Sequence, residues 1–242
     1  MTEVSTSANA AAIAKLGRLA PLGEGSIALL SSLQQLETYS AGQTIRTAGK
    51  TVRRPAFFSE GWAARYQLLS DGRRQIVSLL LPGDHLGFED DVRTEPDLSI
   101  VTLTRVRMSN ATPVRTALGA PDAGMHADLQ TAIRRAEALE RSRLVNHIVR
   151  LGRQSALERT AHLFSELWER LRCVNLSDRN SFPLPLTQEC LADALGLSIV
   201  HVNRTLQQLR RDQLLSAGGG SVRVLNPELL NVVSDYQSTS TL

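Results

Sequence analysis

The 242-residue chain is short of cysteine and lysine, and each shortage narrows what it can do. Its two cysteines, Cys173 and Cys190, have neither CxxC spacing nor neighbouring ligand residues, so no disulfide framework, metal site or iron–sulfur cluster is expected. Cys190 reads as a small buried hydrophobe, or as a redox switch if it is exposed. Lys15 and Lys50 are the only lysines, so 25 of the 27 basic residues are arginine, the better bidentate partner for phosphate and guanine. Formal net charge is only +3, so any footprint for a polyanion must be local. No apolar run is long enough to cross a bilayer, and residues 1–12 lack the basic start and apolar core of a secretory signal. No membrane partner is expected, and the cytoplasm is the expected compartment. Neither Gly-x-Ser-x-Gly nor Gly-x-x-x-x-Gly-Lys occurs. The chain is expected to be no enzyme and to hold no cofactor.

What is present is densest between Leu186 and Leu215. Thr187 can cap a helix in which Leu191, Ala192 and Leu195 share one face, and Gly196 supplies the positive φ at which it stops. Ser198 caps a second helix, where Val202, Leu206 and Leu209 form a buried stripe. Its other face carries His201, Asn203, Arg204, Gln207, Arg210 and Arg211, with no acid from Ser198 to Arg211. That face suits a helix lying among phosphates in a major groove; solvated charges on a helical hairpin are the plainer alternative. Ile199 and Val200 sit beside the cap, where burial is difficult. Thymine methyls would give them a partner, and Arg204 can pair bidentately with guanine one turn later. Leu214–Leu215, a tight loop over Ala217–Gly220, and Ser221–Leu225 read as a β-hairpin wing with Arg223 placed for a phosphate.

Upstream the period of the pattern changes twice. Ser26–Leu36 reads as a short helix through Ile27, Leu30, Leu33 and Leu36. From Tyr39 to about Val106 short alternating runs are punctuated by corners, of which Asp71-Gly72 is the strongest hairpin signal, and together they argue a small antiparallel barrel or jelly roll. His85 is the only histidine there, so a three-ligand metal site cannot be assembled in it. His85 and His126 are each able to serve as an axial haem ligand, although a lone histidine is usually structural or solvated. A long helix over Gly124–Leu151 follows, with Leu129, Ile133, Ala136, Leu139, Leu144, Ile148 and Leu151 at near-helical intervals. Arg134, Arg135, Arg141, Arg143 and Arg150 outnumber Glu137 and Glu140 along it. Ser155–Arg172 forms the next helix, with Ala161, Phe164, Leu167, Trp168 and Leu171 facing a core. Asn226-Pro227-Glu228 opens a last one, whose Leu229, Leu230 and Val233 are expected to pack on the wing.

The run Leu186-Thr187-Gln188-Glu189-Cys190-Leu191-Ala192-Asp193-Ala194-Leu195-Gly196-Leu197-Ser198, with Val200-His201-Val202-Asn203-Arg204-Thr205-Leu206, resembles the winged helix-turn-helix of Crp/Fnr-type bacterial transcription regulators. Gly152–Ala156, Arg159 and Ala161–Leu163 resemble the junction of that family's dimer helix with its DNA-binding domain. Gly61-Trp62, Asp71–Ile76 and Leu81-Pro82-Gly83-Asp84 resemble its effector barrel. The resemblance implies an α+β protein: an antiparallel β jelly-roll effector-like barrel, a long dimerisation helix and a C-terminal winged helix-turn-helix. The implied plan is a flexible N-terminus (1–20), a cyclic-nucleotide-binding-like barrel (21–122), a dimerisation helix (123–152), a DNA-binding domain (153–235) and a flexible tail (236–242).

It further implies a homodimer joined through the seven apolar positions from Leu129 to Leu151, reading an inverted repeat in double-stranded DNA and contacting RNA polymerase. Arg204 would read guanine from the helix that Ser198 caps, and Ile199, Val200 and His201 would tune neighbouring bases. Thr187, Gln188, Asn203 and Arg223 would hold phosphates. The cyclic-nucleotide cassette is departed from: Gly87 to Ser99 carries Glu89, Asp90, Asp91, Glu95 and Asp97 against Arg93, and no arginine stands beside Ser99. Those acids would repel a phosphate, so cyclic AMP is not the expected signal and the effector is left open. Two cysteines also separate the chain from the family's oxygen-sensing branch. The competing expectation is a ligand receptor or protein-interaction module with a vestigial DNA motif, acting through heterodimerisation.

Overall fold

The computed structural model describes residues 9–50, 54–88, 98–120 and 123–237. The acidic run 89–97, residues 1–8 of the expected flexible start and residues 238–242 of the expected tail lie outside the described residues. The chain divides into two compact units, each assembled from two stretches of sequence.

The first unit takes the described residues up to Ala64 together with Leu79–Ala138. It opens with helices α1 (Ala10–Leu19) and α2 (Glu24–Ser31). The expectation of a flexible segment to residue 20 is thereby corrected over its second half. Ala12 and Leu16 repeat at helical spacing and are fully buried beside Leu30 and Phe57, and Asn9 Nδ2 donates to the Leu33 carbonyl oxygen at 2.9 Å. The helix expected over Ser26–Leu36 starts earlier and ends at Ser31, because Leu36 already belongs to a strand.

Among the described residues eight short strands follow: β1 (Gln35–Tyr39), β2 (Thr44–Arg46), β3 (Ala56–Glu60), β4 (Ala63–Leu68), β5 (Arg74–Leu80), β6 (His85–Leu86), β7 (Ser99–Thr102) and β8 (Val106–Asn110). They form two four-stranded sheets in the orders β1-β8-β3-β6 and β2-β7-β4-β5, a jelly-roll-like arrangement. Between them Ala56, Phe58, Ala63, Leu80, Leu86, Ile100, Val106 and Met108 make a core. Gly61 turns β3 into β4 at φ +84°, where a Cβ would stand 2.0 Å from the Arg105 carbonyl oxygen, so only glycine fits. Helix α3 (Thr112–Gly119) and a 3-10 turn (Ala123–His126) lead to α4 (Ala127–Arg153).

The second unit takes Arg65–Ser78 and Leu139–Leu242, thus the outer part of the β4–β5 hairpin and the C-terminal half of α4. Helix α5 (Ala156–Cys173) starts at a capping box: Glu158 N donates to Ser155 Oγ, and Ser155 N donates to Glu158 Oε2 at 2.7 Å. Ala161, Phe164, Leu167, Trp168 and Leu171 are all buried, as their spacing requires. Beyond α5 come β9 (Ser181–Pro183), α6 (Gln188–Leu195), α7 (Ile199–Arg211), β10 (Leu215–Gly218), β11 (Ser221–Val224) and α8 (Pro227–Ser234). The hairpin wing is joined by β9, giving the order β10-β11-β9; this third strand is masked in sequence by the prolines around it. Helix α8 packs against α5 rather than on the wing. Leu230 is fully buried while Leu229 is exposed, correcting the expected packing of that helix.

Candidate nucleic-acid interface

Local chemistry sets each end of α6 and α7. Thr187 Oγ1 accepts from Cys190 N at 3.1 Å, which starts α6. Gly196 stops it in the left-handed region at φ +62°, where its own N–H and that of Leu197 bond back to the Ala192 carbonyl oxygen. Ser198 Oγ then accepts from His201 N at 3.2 Å and starts α7. Leu191, Leu195, Val202 and Leu209 are buried between the two helices and α5, with Cys190 and Thr205 beside them.

Burial of that stripe turns the opposite face of α7 outward. Ile199 is 46% and Val200 58% exposed, and His201, Arg204, Gln207, Arg210 and Arg211 are exposed as well. The first acid on this stretch is Asp212, after the helix ends. Asn203 Nδ2 donates to Gln188 Oε1 at 2.8 Å, so two side chains assigned to phosphates tie the start of α6 to the middle of α7. The ring of His201 lies with Nδ1 3.0 Å from Ser198 Oγ. Thr187 is exposed at the head of α6. Arg223 is exposed on β11, opposite Ser216 on one side and Ser181 on the other. Gly219 and Gly220, at φ +61° and +75°, make the tip of the wing.

The far end of α6 is held by side chains from outside the motif. Gln75 Nε2 donates to the Asp193 carbonyl oxygen at 2.8 Å, and Arg74 forms an ion pair with the Asp193 carboxylate. Arg159 Nη1 donates to the Leu195 carbonyl oxygen at 2.9 Å, while its Nε and Nη2 hold the Gln154 carbonyl oxygen. Carbonyl groups left without partners at a helix end are thus capped by β5 and α5.

Helix α4 departs most from expectation. Leu129, Ile133, Ala136 and Leu139, four of the seven apolar positions assigned to a partner chain, are buried by the chain itself. The first three pack with Ala12, Leu16, Leu30 and Val114. Leu144 and Leu151 are half-buried, and Ile148 alone of the seven stands out at 70% exposure. Val145 and Val149, missed in the sequence, are 58% and 50% exposed beside it. Helical spacing groups residues by face without saying which face the rest of the chain covers. The two histidines weighed as haem ligands lie apart: His85 packs its ring edge-on to Phe57 and Phe88, and His126 Nδ1 lies 3.1 Å from Ser26 Oγ. Among the described residues no group of three or more metal-ligating side chains occurs, and no helix is long and apolar enough to cross a membrane.

Comparison with known proteins agrees with this architecture. The family model described as a cyclic nucleotide-binding domain matches residues 36–110, and that of a Crp-like helix-turn-helix domain matches residues 158–233. The transcriptional activator protein FnrL of Cereibacter sphaeroides is 30% identical over 197 residues, covering 80% of this chain and 77% of that protein. The nitrogen fixation regulation protein FixK of Bradyrhizobium diazoefficiens is 31% identical over 189 residues, covering 78% and 77%. The solved structure of FixK2 from Bradyrhizobium japonicum superposes with a TM-score of 0.66 at 27% identity, over 85% of this chain and 100% of that one.

Proposed function

The chain belongs to the Crp/Fnr family of transcription regulators, and from that premise we propose that it reads an inverted-repeat operator as a homodimer. The observation that carries this reading is the outward face of α7, free of acids and bearing exposed Arg204 one turn after exposed Ile199 and Val200. Two such helices related by a two-fold axis enter successive major grooves roughly 34 Å apart. Arg204 pairs with guanine O6 and N7, Ile199 and Val200 lie on thymine methyls, and His201 touches the neighbouring base. Thr187, Gln188, Asn203 and Arg223 contact phosphates and fix the register, and Ser198 holds the end of α7 against the groove.

The partner chain packs on Val145, Ile148 and Val149 of α4, with Leu144 and Leu151 at the margins of the seam. A signal received by the barrel, other than cyclic AMP, shifts the population of DNA-competent dimers. RNA polymerase is the further partner, and the protein acts in the cytoplasm.

Selection from random duplex DNA with purified protein tests this reading. An enriched inverted repeat is expected, and Arg204→Ala should lose about 1–3 kcal/mol of discrimination at one guanine. Equal loss on operator and random DNA would remove Arg204 from base reading. No enrichment from a folded dimer, with and without cell extract as a source of the signal, would favour the interaction-module alternative.

A further inference from the structure

Helices α4 and α5 meet at Gln154–Ser155, and a buried ionic cluster spans them within the second unit. Glu166 of α5 stands between two guanidiniums: Oε2 accepts from Arg150 Nη1 of α4 at 3.1 Å, and Oε1 from Arg170 Nη1 of α5 at 3.2 Å. Arg150 Nη2 lies 2.7 Å from His147 Nδ1, one turn back along α4. The side chains of Arg150, Glu166 and Arg170 are all less than 10% exposed. Burial alone would raise the Glu166 carboxyl, but the charges of Arg150, Arg170 and Arg143 outweigh it and hold the group at about 2. Burial, helped by the Arg150 charge, pushes His147 down to about 4, so it faces the pair uncharged. One turn before Glu166, His162 is buried with Nδ1 3.2 Å from the Ser234 carbonyl oxygen of α8.

Stability is a poor reason for such a cluster. Desolvating a carboxylate and two guanidiniums offsets most of their attraction, and apolar residues of equal volume often serve a core as well. In some proteins such a pair is kept because it selects one geometry over its neighbours. If α5 rotates or slides on α4, the Arg150–Glu166 bond breaks: Glu166 keeps Arg170, which moves with it, and the buried Arg150 loses its carboxylate. Arg170 lies on the same helix as Glu166 and orients its carboxylate for that one cross-helix bond.

The position of the cluster gives this geometry a use. His147 and Arg150 point inward from the same turns of α4 whose Val145, Ile148 and Val149 point outward. Helix α5 in turn supports α6 and α7, with Arg159 fixed on the Leu195 carbonyl oxygen. The angle between α4 and α5 therefore sets where α7 points relative to the seam. Over the 18 residues of α5, about 27 Å at 1.5 Å per residue, a rotation of roughly 7° moves the far end by about 3.4 Å, one base-pair step.

We propose that Glu166 is a positioning residue that, through its bond to Arg150, fixes the half-site spacing the dimer accepts. This rests on the homodimeric reading above. The test uses the full chain and its selected operator, with the spacer between half-sites shortened or lengthened by one and two base pairs, and a single half-site for comparison. Two variants are measured, each checked for folding and assembly by thermal melting and sedimentation: Glu166→Gln, which removes the carboxylate that Arg150 and Arg170 share, and Arg150→Met/Glu166→Met, which replaces the cross-helix pair by apolar volume. Wild type is expected to lose about tenfold in affinity per base pair of altered spacing, and the folded variants less than about threefold, with half-site affinity kept within about twofold. Folded variants that keep the wild-type spacing profile, or that lose half-site and operator binding equally, overturn the proposal. Wild type that binds a half-site and no inverted repeat overturns the dimeric reading itself, and the proposal with it.

Discussion

In the N-terminal half of α4, Leu129, Ala132, Ile133 and Ala136 disappear under α1 and α2, whereas in the C-terminal half Val145, Ile148 and Val149 remain 50–70% exposed. Both halves carry apolar residues at helical spacing, and only the second leaves them uncovered. One helix thus serves as core in one unit and presents an exposed apolar stripe in the other. The inward side of the second half is polar instead, closed by His147, Arg150 and Glu166. The exposed stripe is therefore not a displaced core: the chain uses its own ions where the first half uses leucine and alanine.

Breaking that contrast should have its largest effect at the seam. Val145→Glu with Ile148→Glu places carboxylates on a surface that the homodimeric reading buries. Sedimentation equilibrium should then report monomers, with operator affinity down about 100-fold or more because each monomer reads one half-site. A dimer of unchanged stability would show that the partner chain sits elsewhere. Leu129→Ala in the first half should do the reverse. It should cost about 2–5 kcal/mol in denaturant unfolding through the cavity it leaves, with the assembly state of the folded protein unchanged.

The polar side of the second half sharpens the contrast through pH. His147 falls from 6.5 unfolded to about 4 folded, so the unfolded chain binds the extra proton below pH 6.5. Its contribution is fully present above that pH and is lost as pH falls through about 4; at about 1.4 kcal/mol per pH unit this amounts to roughly 3 kcal/mol. Glu166 extends the loss, since its carboxyl titrates near 4.5 unfolded and about 2 folded. Denaturant titrations between pH 7 and 4 should show stability falling with acid, and His147→Gln should flatten the upper part of that fall. A variant with the wild-type slope would assign the acid sensitivity to other groups.

How legible these features were in the sequence follows from how local their causes are. Thr187, Gly196 and Ser198 act on backbone within four residues of themselves, and the boundaries of α6 and α7 were readable from them alone. The Asp71-Gly72 hairpin and the capped start of α5 are equally local. The two faces of α4 were not, because spacing cannot say that α1 will cover Leu129 and Ile133 and leave Val145 bare. Helix α1 itself is an alanine-rich stretch whose structure comes from the buried Leu16. The docking of α8 on α5, and the capping of α6 by Gln75 and Arg159, likewise join residues far apart in sequence that no short window contains.

The hydrogen bond from Gln75 to the Asp193 carbonyl oxygen bridges 118 positions of chain, and it has a consequence in time. At about 5–20 residues per second, a ribosome delivers Asp193 roughly 6 to 24 seconds after Gln75. During that interval Arg74 and Gln75 have been made and Asp193 has not. Of the two outside caps on the last turn of α6, that from Arg159 comes with α5, whereas that from Gln75 forms only when a segment from the first third of the polypeptide folds back onto the last. A polypeptide begun at the start of α5 would keep the Arg159 cap and never gain the one from Gln75. The reading head is in this respect the product of a late long-range closure, completed by a strand translated long before it.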